Sequence, residues 1–328
     1  MSNRILAVTY AMDAPARAVV EDALAGAAQV VYLSDVEDSQ RAEVLGSADV
    51  VLARNTKAEL REGEHQRLKE AALLQFVTAG VDFIPLGEFP SQLPIAFNGG
   101  GYAEPMAEHG LAMALAGAKR LFTEHQNLAR GDFNQFVPNR LLAGRVCGIL
   151  GFGGIGIACA RLFRAIGMSV HGINRRGVGD ESVDWMGTPA DLDDFLTRCD
   201  VLILSLPLTR VSKDMIGERE LNLMPDDAIL VNLARGEIVQ EAALYAHLQR
   251  HPAFVAGIDA WWVEPVRHGE FRMDHDFISL PNVIASPHNS ATTHDWRLVA
   301  LGRAVENCKR VLEGGTAYHR VGEDERIA

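Results

Sequence analysis

The 328-residue chain is poor in cysteine: it has four, Cys147, Cys159, Cys199 and Cys308, and no two form a CxxC pair. That scatter argues against a disulfide framework and a thiol redox motif and suits reduced core residues; with no histidine–cysteine cluster, no metal is expected. No run of roughly 18 apolar residues occurs, so no transmembrane helix and no membrane partner are expected. The apolar stretch Ile5-Leu6-Ala7-Val8 is too short for a signal peptide and reads as a first strand, which points to a cytoplasmic protein. Positive charge is also scarce. Lys and Arg number 31 against 43 Asp and Glu, and the net charge of −12 argues against nucleic acid or an anionic membrane surface as partner. Internal repeats and low-complexity tracts are missing. What remains is a 48% hydrophobic chain, ample for two cores and long enough for two domains.

The most informative segment present is Val146-Cys147-Gly148-Ile149-Leu150-Gly151-Phe152-Gly153-Gly154-Ile155-Gly156. It reads as a short apolar strand, a glycine-rich turn and a helix. In this pattern Gly151 permits the tight turn, Gly153 lets the backbone approach a pyrophosphate, and Gly156 lets the helix pack close to the strand. The N–H groups of the first helical turn, with Gly154 and Ile155, would face the negative charge. Ser169–Ile173 closes a βαβ unit, so the chain is expected to bind a dinucleotide. An NAD site usually places Asp or Glu about 20 residues past the first glycine. Here that place holds Asn174, followed by Arg175 and Arg176. Two guanidinium groups and no carboxylate suit a 2′-phosphate, so NADP(H) is expected over NAD(H), which remains possible.

Strand-like runs Ile5–Tyr10, Gln29–Leu33, Val50–Ala53, Leu74–Thr78 and Pro94–Phe97 alternate with helical patterns at Ala14–Ala27 and Ala58–Ala71. A long helix is expected from Ala103 to about Ala129. Further strands are expected at Val201–Leu206, Ala228–Leu233, Phe254–Ile258 and Asn282–Ala285, and a last helix over Ala291–Glu313, stopped by Gly314-Gly315. Such alternation implies parallel sheets flanked by helices: an α/β fold with two doubly wound lobes and a cleft between them. The expected domains are residues 1–98 with 289–328 for substrate and 99–288 for the dinucleotide. The long helices are read as linking the lobes, and the apolar surface of the first suggests a homodimer.

Three polar residues follow apolar strands: Arg235 after Ile229–Leu233, Glu264 after Val255–Ile258 and His288 after Val283–Ala285. In a doubly wound sheet, ligands bind at the carboxyl ends of strands, so these three can converge. Arg235 can clamp a carboxylate, His288 can exchange a proton with the oxygen on the neighbouring carbon, and Glu264 can orient the imidazole and favour its charged form. Among other candidates, His109 sits on a helix beside Glu108 and suits a structural or seam position. His268 and His275 fall in a charged loop and read as solvated, or as reaching a site from a neighbouring subunit. Arg54 and Asn55, after the third strand, suit either substrate contact or a capping role. Trp261 and Trp262 suit either core or an aromatic wall.

The whole pattern resembles the D-isomer-specific 2-hydroxyacid dehydrogenase family. The matching stretches are Thr78-Ala79-Gly80-Val81-Asp82, Asn98 through Glu108-His109, the glycine motif, Leu206-Pro207-Leu208-Thr209, Asn232-Leu233-Ala234-Arg235-Gly236, Asp259 through Glu264-Pro265, and Pro281-Asn282 through His288. The resemblance implies a flavodoxin-like substrate domain and a Rossmann coenzyme domain. It implies hydride transfer between a nicotinamide coenzyme and C2 of a small 2-keto or 2-hydroxy acid, with Arg235, Glu264 and His288 catalytic. It also implies that backbone N–H groups at Gly80 and Val81 hold the substrate carboxylate, and that Leu206, Pro207, Ala234 and Asp259 line the coenzyme site; Ala79, and Asn55 by its place after the third strand, are further candidate substrate contacts. Related formate dehydrogenases carry glutamine at the Glu264 position. The missing coenzyme-selecting acid resembles NADPH-preferring glyoxylate/hydroxypyruvate reductases, and the long polar stretch 266–277 departs from the pattern. Two alternatives share many of these motifs: a dinucleotide-sensing, co-repressor-like scaffold, disfavoured by the intact Arg–Glu–His set, and a dehydrogenase of a non-carboxylate anion such as phosphite.

Overall fold

A computed structural model describes residues 4–179 and 183–322. The chain begins with β1 (Ile5–Val8), α1 (Ala14–Leu24), β2 (Gln29–Tyr32), α2 (Arg41–Ser47), β3 (Val50–Ala53), the single turn α3 (Thr56–Glu59), β4 (Leu73–Phe76) and β5 (Ile95–Ala96). There follow α4 (Ala103–Ala118), α5 (Leu121–Ala129), β6 (Val146–Leu150), α6 (Gly154–Ala165), β7 (Ser169–Ile173), β8 (Trp185–Gly187), α7 (Leu192–Arg198) and β9 (Val201–Leu204). The chain continues through α8 (Glu218–Leu221), β10 (Ile229–Asn232), α9 (Glu241–Arg250), β11 (Val255–Ile258), α10 (Pro265–His268), β12 (Val283–Ala285) and α11 (Trp296–Leu312). Two compact units result. One holds the described residues up to Tyr102 and from Thr293 onward; the other is Ala103–Thr292.

The first unit is built on a five-stranded parallel sheet in the order β2-β1-β3-β4-β5. Its strands read as unbroken apolar runs because both faces are covered. Leu6 and Val8 pack with Val20 and Leu24 of α1 and Val305 and Leu312 of α11, while Ala7, Val51 and Phe76 face the other side with Leu68 and Leu86. Asp13 starts α1 by accepting the Ala16 N–H at 3.0 Å, with Pro15 in the first turn. Gly314, φ +91°, follows the end of α11 as the sequence predicts.

The second unit holds a seven-stranded parallel sheet, β12-β11-β10-β9-β6-β7-β8. Chain order reverses at β6: β7 and β8 extend one way, β9 to β12 the other. The crevice beyond the carboxyl ends of β6 and β9 is where such a sheet takes a ligand. One face carries Leu202, Leu204, Leu230 and Ile258 against Phe195 of α7, Leu244 and Leu248 of α9, and Phe254. On the other face lie α4 and α6. Gly110 of α4 sits over Leu233 and Gly117 over Val255, places where a Cβ would come within 2.8 and 2.9 Å of those side chains.

Three expectations change. The helix over Ala58–Ala71 is instead α3 and a short 3₁₀ segment at His65–Glu70, since Gly63, φ +79°, breaks the chain between them. The helix from Ala103 to Ala129 is two, because Arg120 takes a left-handed conformation, φ 53°. The last helix starts at Trp296 rather than Ala291. α4 and α5 belong to the second unit and α11 to the first.

Candidate active site

β10, β11 and β12 are consecutive neighbours, so their carboxyl ends deliver Arg235, Glu264 and His288 side by side. After β10, Asn232 ties the turn: its Nδ2 donates to Arg235 O at 2.8 Å and its Oδ1 accepts Ala234 N–H at 3.0 Å. Arg235 is half-buried and donates from Nη1 to Ala234 O at 2.7 Å. After β11, Trp261 N–H donates to Glu264 Oε1 at 2.7 Å, and Glu264 caps α10. After β12, His288 Nδ1 lies 2.8 Å from both Glu264 carboxylate oxygens. The Glu264 side chain is 8% exposed and that of His288 31%. Burial alone would raise the Glu264 carboxyl pKa. The His288 bond and charge, the Trp261 N–H and the Arg235 charge outweigh burial and hold it below the ordinary value.

His288 sits at φ +50°, unusual for a side chain with a Cβ. Asp259 holds it there. Its backbone O accepts His288 N–H at 2.9 Å, and its fully buried Oδ1 accepts Asn289 N–H at 3.1 Å and the Ser286 hydroxyl at 2.6 Å. His109 Nε2 meets Ser286 Oγ at 2.9 Å, which makes it a structural contact behind the His288 turn. Asp259 Oδ2 is buried and has no hydrogen-bond partner among the described residues. Ser286 carried no sequence signal beyond standing two residues before His288, and Asp259, expected at the coenzyme site, gave no sign of its bonds to the His288 turn.

The glycine turn joins β6 to α6. Gly151 has φ +98°, and a Cβ there would lie 2.6 Å from the Leu206 nitrogen. A Cβ on Gly156 would collide with Gly151 O. At Gly153, the N-cap of α6, nothing described lies within 4 Å of a Cβ position, and no side chain caps the helix. The N–H groups beyond Gly153, at Gly154 and Ile155, therefore lie in an open first turn suited to a pyrophosphate. Leu206 and Pro207 follow β9 beside Gly151, and Ala234 is buried next to Arg235. At the end of β7, Asn174 Oδ1 accepts Arg176 N–H at 2.9 Å and its Nδ2 donates to Val178 O at 2.8 Å, turning the exposed Arg175 and Arg176 outward. These residues fit a nicotinamide dinucleotide.

In the first unit, Asn55 follows β3 and Ala79, Gly80 and Val81 follow β4, its neighbour in the sheet. Glu59 shapes the Asn55 turn: it accepts Asn55 N–H at 2.6 Å, Arg54 N–H at 3.1 Å and the Thr9 hydroxyl at 2.6 Å. Asn55 Oδ1 is buried without a partner among the described residues. The Arg54 guanidinium lies 5.3 Å from the Tyr10 ring centroid.

The remaining candidates resolve. Trp261 and Trp262 are core: Trp261 is 3% exposed, Trp262 stacks on Phe277, and their Nε1 groups donate to Ser286 O and Val239 O. His275 stacks on Tyr245, with ring centroids 4.8 Å apart. His268 is exposed, as read, and also accepts Glu264 N–H on Nδ1 at 2.9 Å, because one turn of α10 brings it back to its own N-cap. The polar stretch 266–277 thus includes a helical turn and a strand-like bridge, Val263 with Arg272. No helix among the described residues is long and apolar enough to cross a membrane.

A sheet whose order reverses at a glycine turn, with Arg, Glu and His delivered by its next strands, defines a nicotinamide-dependent oxidoreductase. Residues 111–290 match the family model of the D-isomer specific 2-hydroxyacid dehydrogenase NAD binding domain. The chain is 29% identical over 291 residues to glycerate dehydrogenase of Methylorubrum extorquens, covering 86% of this chain and 88% of that one. It is 32% identical over 216 residues to glyoxylate/hydroxypyruvate reductase B of Enterobacter agglomerans, 64% of this chain and 65% of the relative. Among solved structures, the D-isomer specific 2-hydroxyacid dehydrogenase of Xanthobacter autotrophicus Py2 superposes with a TM-score of 0.81 at 24% identity, covering 99% of this chain and 100% of that one. The glycerate dehydrogenase related protein of Thermoplasma acidophilum gives 0.67 at 27% identity, covering 94% and 99%. The chain belongs to the D-isomer specific 2-hydroxyacid dehydrogenase family and is an enzyme that works with a nicotinamide dinucleotide.

Proposed function

We propose that this enzyme reduces C2 of a small 2-keto acid with NADPH in preference to NADH, running as a D-2-hydroxyacid dehydrogenase in reverse. The observation that carries the reading is the Glu264–His288 pair, with both carboxylate oxygens 2.8 Å from Nδ1, beside the strand that supplies Arg235. Bound in its reduced form, the coenzyme supplies the hydride. With Nδ1 engaged by Glu264, Nε2 is the ring nitrogen left to give its proton to the C2 oxygen, and in oxidation to take it back. Glu264 stabilises the imidazolium before transfer and orients the ring throughout. Arg235 clamps the substrate carboxylate with its planar fork and draws charge from the carbonyl. We assign Asn55, Ala79 and the Gly80 and Val81 N–H groups, in the turns after β3 and β4, to substrate binding.

The relatives' names, glycerate dehydrogenase, glyoxylate/hydroxypyruvate reductase B and 4-methyl-2-oxopentanoate reductase A, support glyoxylate, hydroxypyruvate or a bulkier keto acid as substrate. The NADP(H) preference rests on Arg175 and Arg176 at the end of β7 with no acid in place of Asn174. Buried, unpaired cysteines support a reducing, cytoplasmic setting. We further propose a homodimer. No residue of α5 is buried, and Leu121, Phe122 and Leu128, followed by Phe133 (78% exposed) and Phe136 (84% exposed), form an apolar surface that a second copy would cover. One experiment tests the catalytic reading: turnover of a panel of 2-keto acids, assayed with both coenzymes. We expect consumption of NADPH with a higher kcat/KM than NADH. A clear NADH preference refutes the coenzyme assignment, and no turnover with any keto acid refutes the reaction.

A further inference from the structure

We propose that the Glu237–Arg267 ion pair is a positioning device that sets the Arg235 guanidinium against the Glu264–His288 pair; this rests on the catalytic roles proposed above. Arg267 Nη1 donates to Glu237 Oε2 at 2.9 Å and Nη2 lies 2.8 Å from Oε1, a two-pronged contact between side chains only 14% and 19% exposed. Glu237 stands two residues after Arg235, in the short 3₁₀ turn Gly236–Ile238. Arg267 stands three residues after Glu264, in the helical turn that Glu264 caps. The pair therefore joins the loop that ends β10 to the loop that ends β11.

The strands alone do not fix that spacing. Their register ends at Asn232 and Ile258, and the last backbone bonds between them run from Asp259 and Ala260 N–H to Asn232 O. Beyond that point Gly236 packs directly on the backbone of Trp261 and Trp262, a place no Cβ can enter, and the Trp262 indole donates to Val239 O at 2.6 Å. Those contacts bring the loops together, while the planar fork fixes their angle, which a point charge or an apolar pair would leave loose. Glu264 itself is pinned from below by its N–H bond to His268 Nδ1, so tilting α10 moves the carboxylate that holds His288.

The test is a double-mutant cycle of Glu237→Gln, Arg267→Met and the double variant, with His288→Ala as reference. It reads kcat, KM for the keto acid, NADPH Kd and Tm. We expect each single change to lower kcat roughly tenfold to a hundredfold, as misplacements of about an ångström do, with NADPH Kd and Tm near wild type. The double variant should be no worse than the weaker single, because one unit has been removed. Wild-type kcat in the single variants, additive losses, or kcat losses that track Tm overturn the proposal. An active His288→Ala variant refutes the catalytic reading itself, whereas an inactive one beside an unimpaired Glu237→Gln refutes the positioning role alone.

Discussion

Replacing Glu264 by Gln removes one charge and almost no volume. The substitution keeps an oxygen that can accept Trp261 N–H, now at 2.7 Å, so the turn after β11 keeps its shape. What goes is the anion facing His288 Nδ1 at 2.8 Å through two oxygens. A hydrogen bond to a charged group contributes about 1.5–3 kcal/mol net. Glu264 is nearly buried while His288 is one-third open to solvent at 31%, so the low half of that range applies. Since about 1.4 kcal/mol is a factor of ten in rate, kcat should fall roughly tenfold to fortyfold. KM for the keto acid should move little, because Arg235 and not Glu264 is assigned to the carboxylate. Steady-state oxidation of NADPH by the preferred keto acid, across a substrate series, separates the two constants. Wild-type turnover in Glu264→Gln, with the fold intact by circular dichroism, would refute the imidazole–carboxylate couple as the proton-transfer machinery. A rise in KM with unchanged kcat would refute the division of labour between Glu264 and Arg235.

Changing Arg175 and Arg176 together to Ala should lower kcat/KM for NADPH by roughly tenfold to a hundredfold, the scale of lost charge-assisted bonds, and leave NADH unaffected; equal losses for both coenzymes would contradict the 2′-phosphate assignment. Phe133→Asp with Phe136→Asp should convert the proposed dimer to a monomer in light scattering, and an unchanged dimer mass would show that this surface is not the interface. His247 is 2% exposed, and burial first, then the charges of His251 and Arg250, lower its pKa from 6.5 to about 4, against a smaller opposite effect from Asp226. The folded chain thus takes up that proton later than the unfolded chain, so stability is lost as pH falls from 6.5 toward 4, by at most about 3 kcal/mol. Urea midpoints across that window should fall less steeply in His247→Leu; parallel curves for variant and wild type would refute the linkage.

The strands were legible because burial on both faces leaves unbroken apolar runs, as in Val201–Leu204 and Ile229–Asn232. The candidate site was legible where polar residues follow such runs, as Arg235, Glu264 and His288 do. Helices read less well where local conformation decides. The pattern over Ala58–Ala71 has helical periodicity, yet Gly63 turns the chain, and Arg120 ends α4 by going left-handed within an apolar stretch. Short strands with mixed surroundings, such as β8, escape periodicity altogether. Individual side-chain contacts left no trace, whether far apart in the chain, as the Ser286–Asp259 bond behind His288, or only four residues apart, as the return of His268 to Glu264 N–H and the Glu59 carboxylate under the Asn55 turn. Periodicity records which face is buried, not what a side chain meets there.

The order β12-β11-β10 explains why Glu264 and no other acid partners the imidazole. Neighbouring strands lie about 4.8 Å apart, so the loops bearing His288 and Arg235 start from backbones roughly 10 Å apart, with the Glu264 loop between them. Glu264 is thus within reach of both, bonded to His288 and lowered in pKa by both cations. On the proposed reading, a guanidinium and an imidazole set two strands apart suit a small acid whose carboxylate and C2 oxygen are neighbours. The ladder fixes these backbones, and their movement would break hydrogen bonds throughout β10 to β12. On the proposed reading, selection among keto acids therefore has to act through residues outside the ladder.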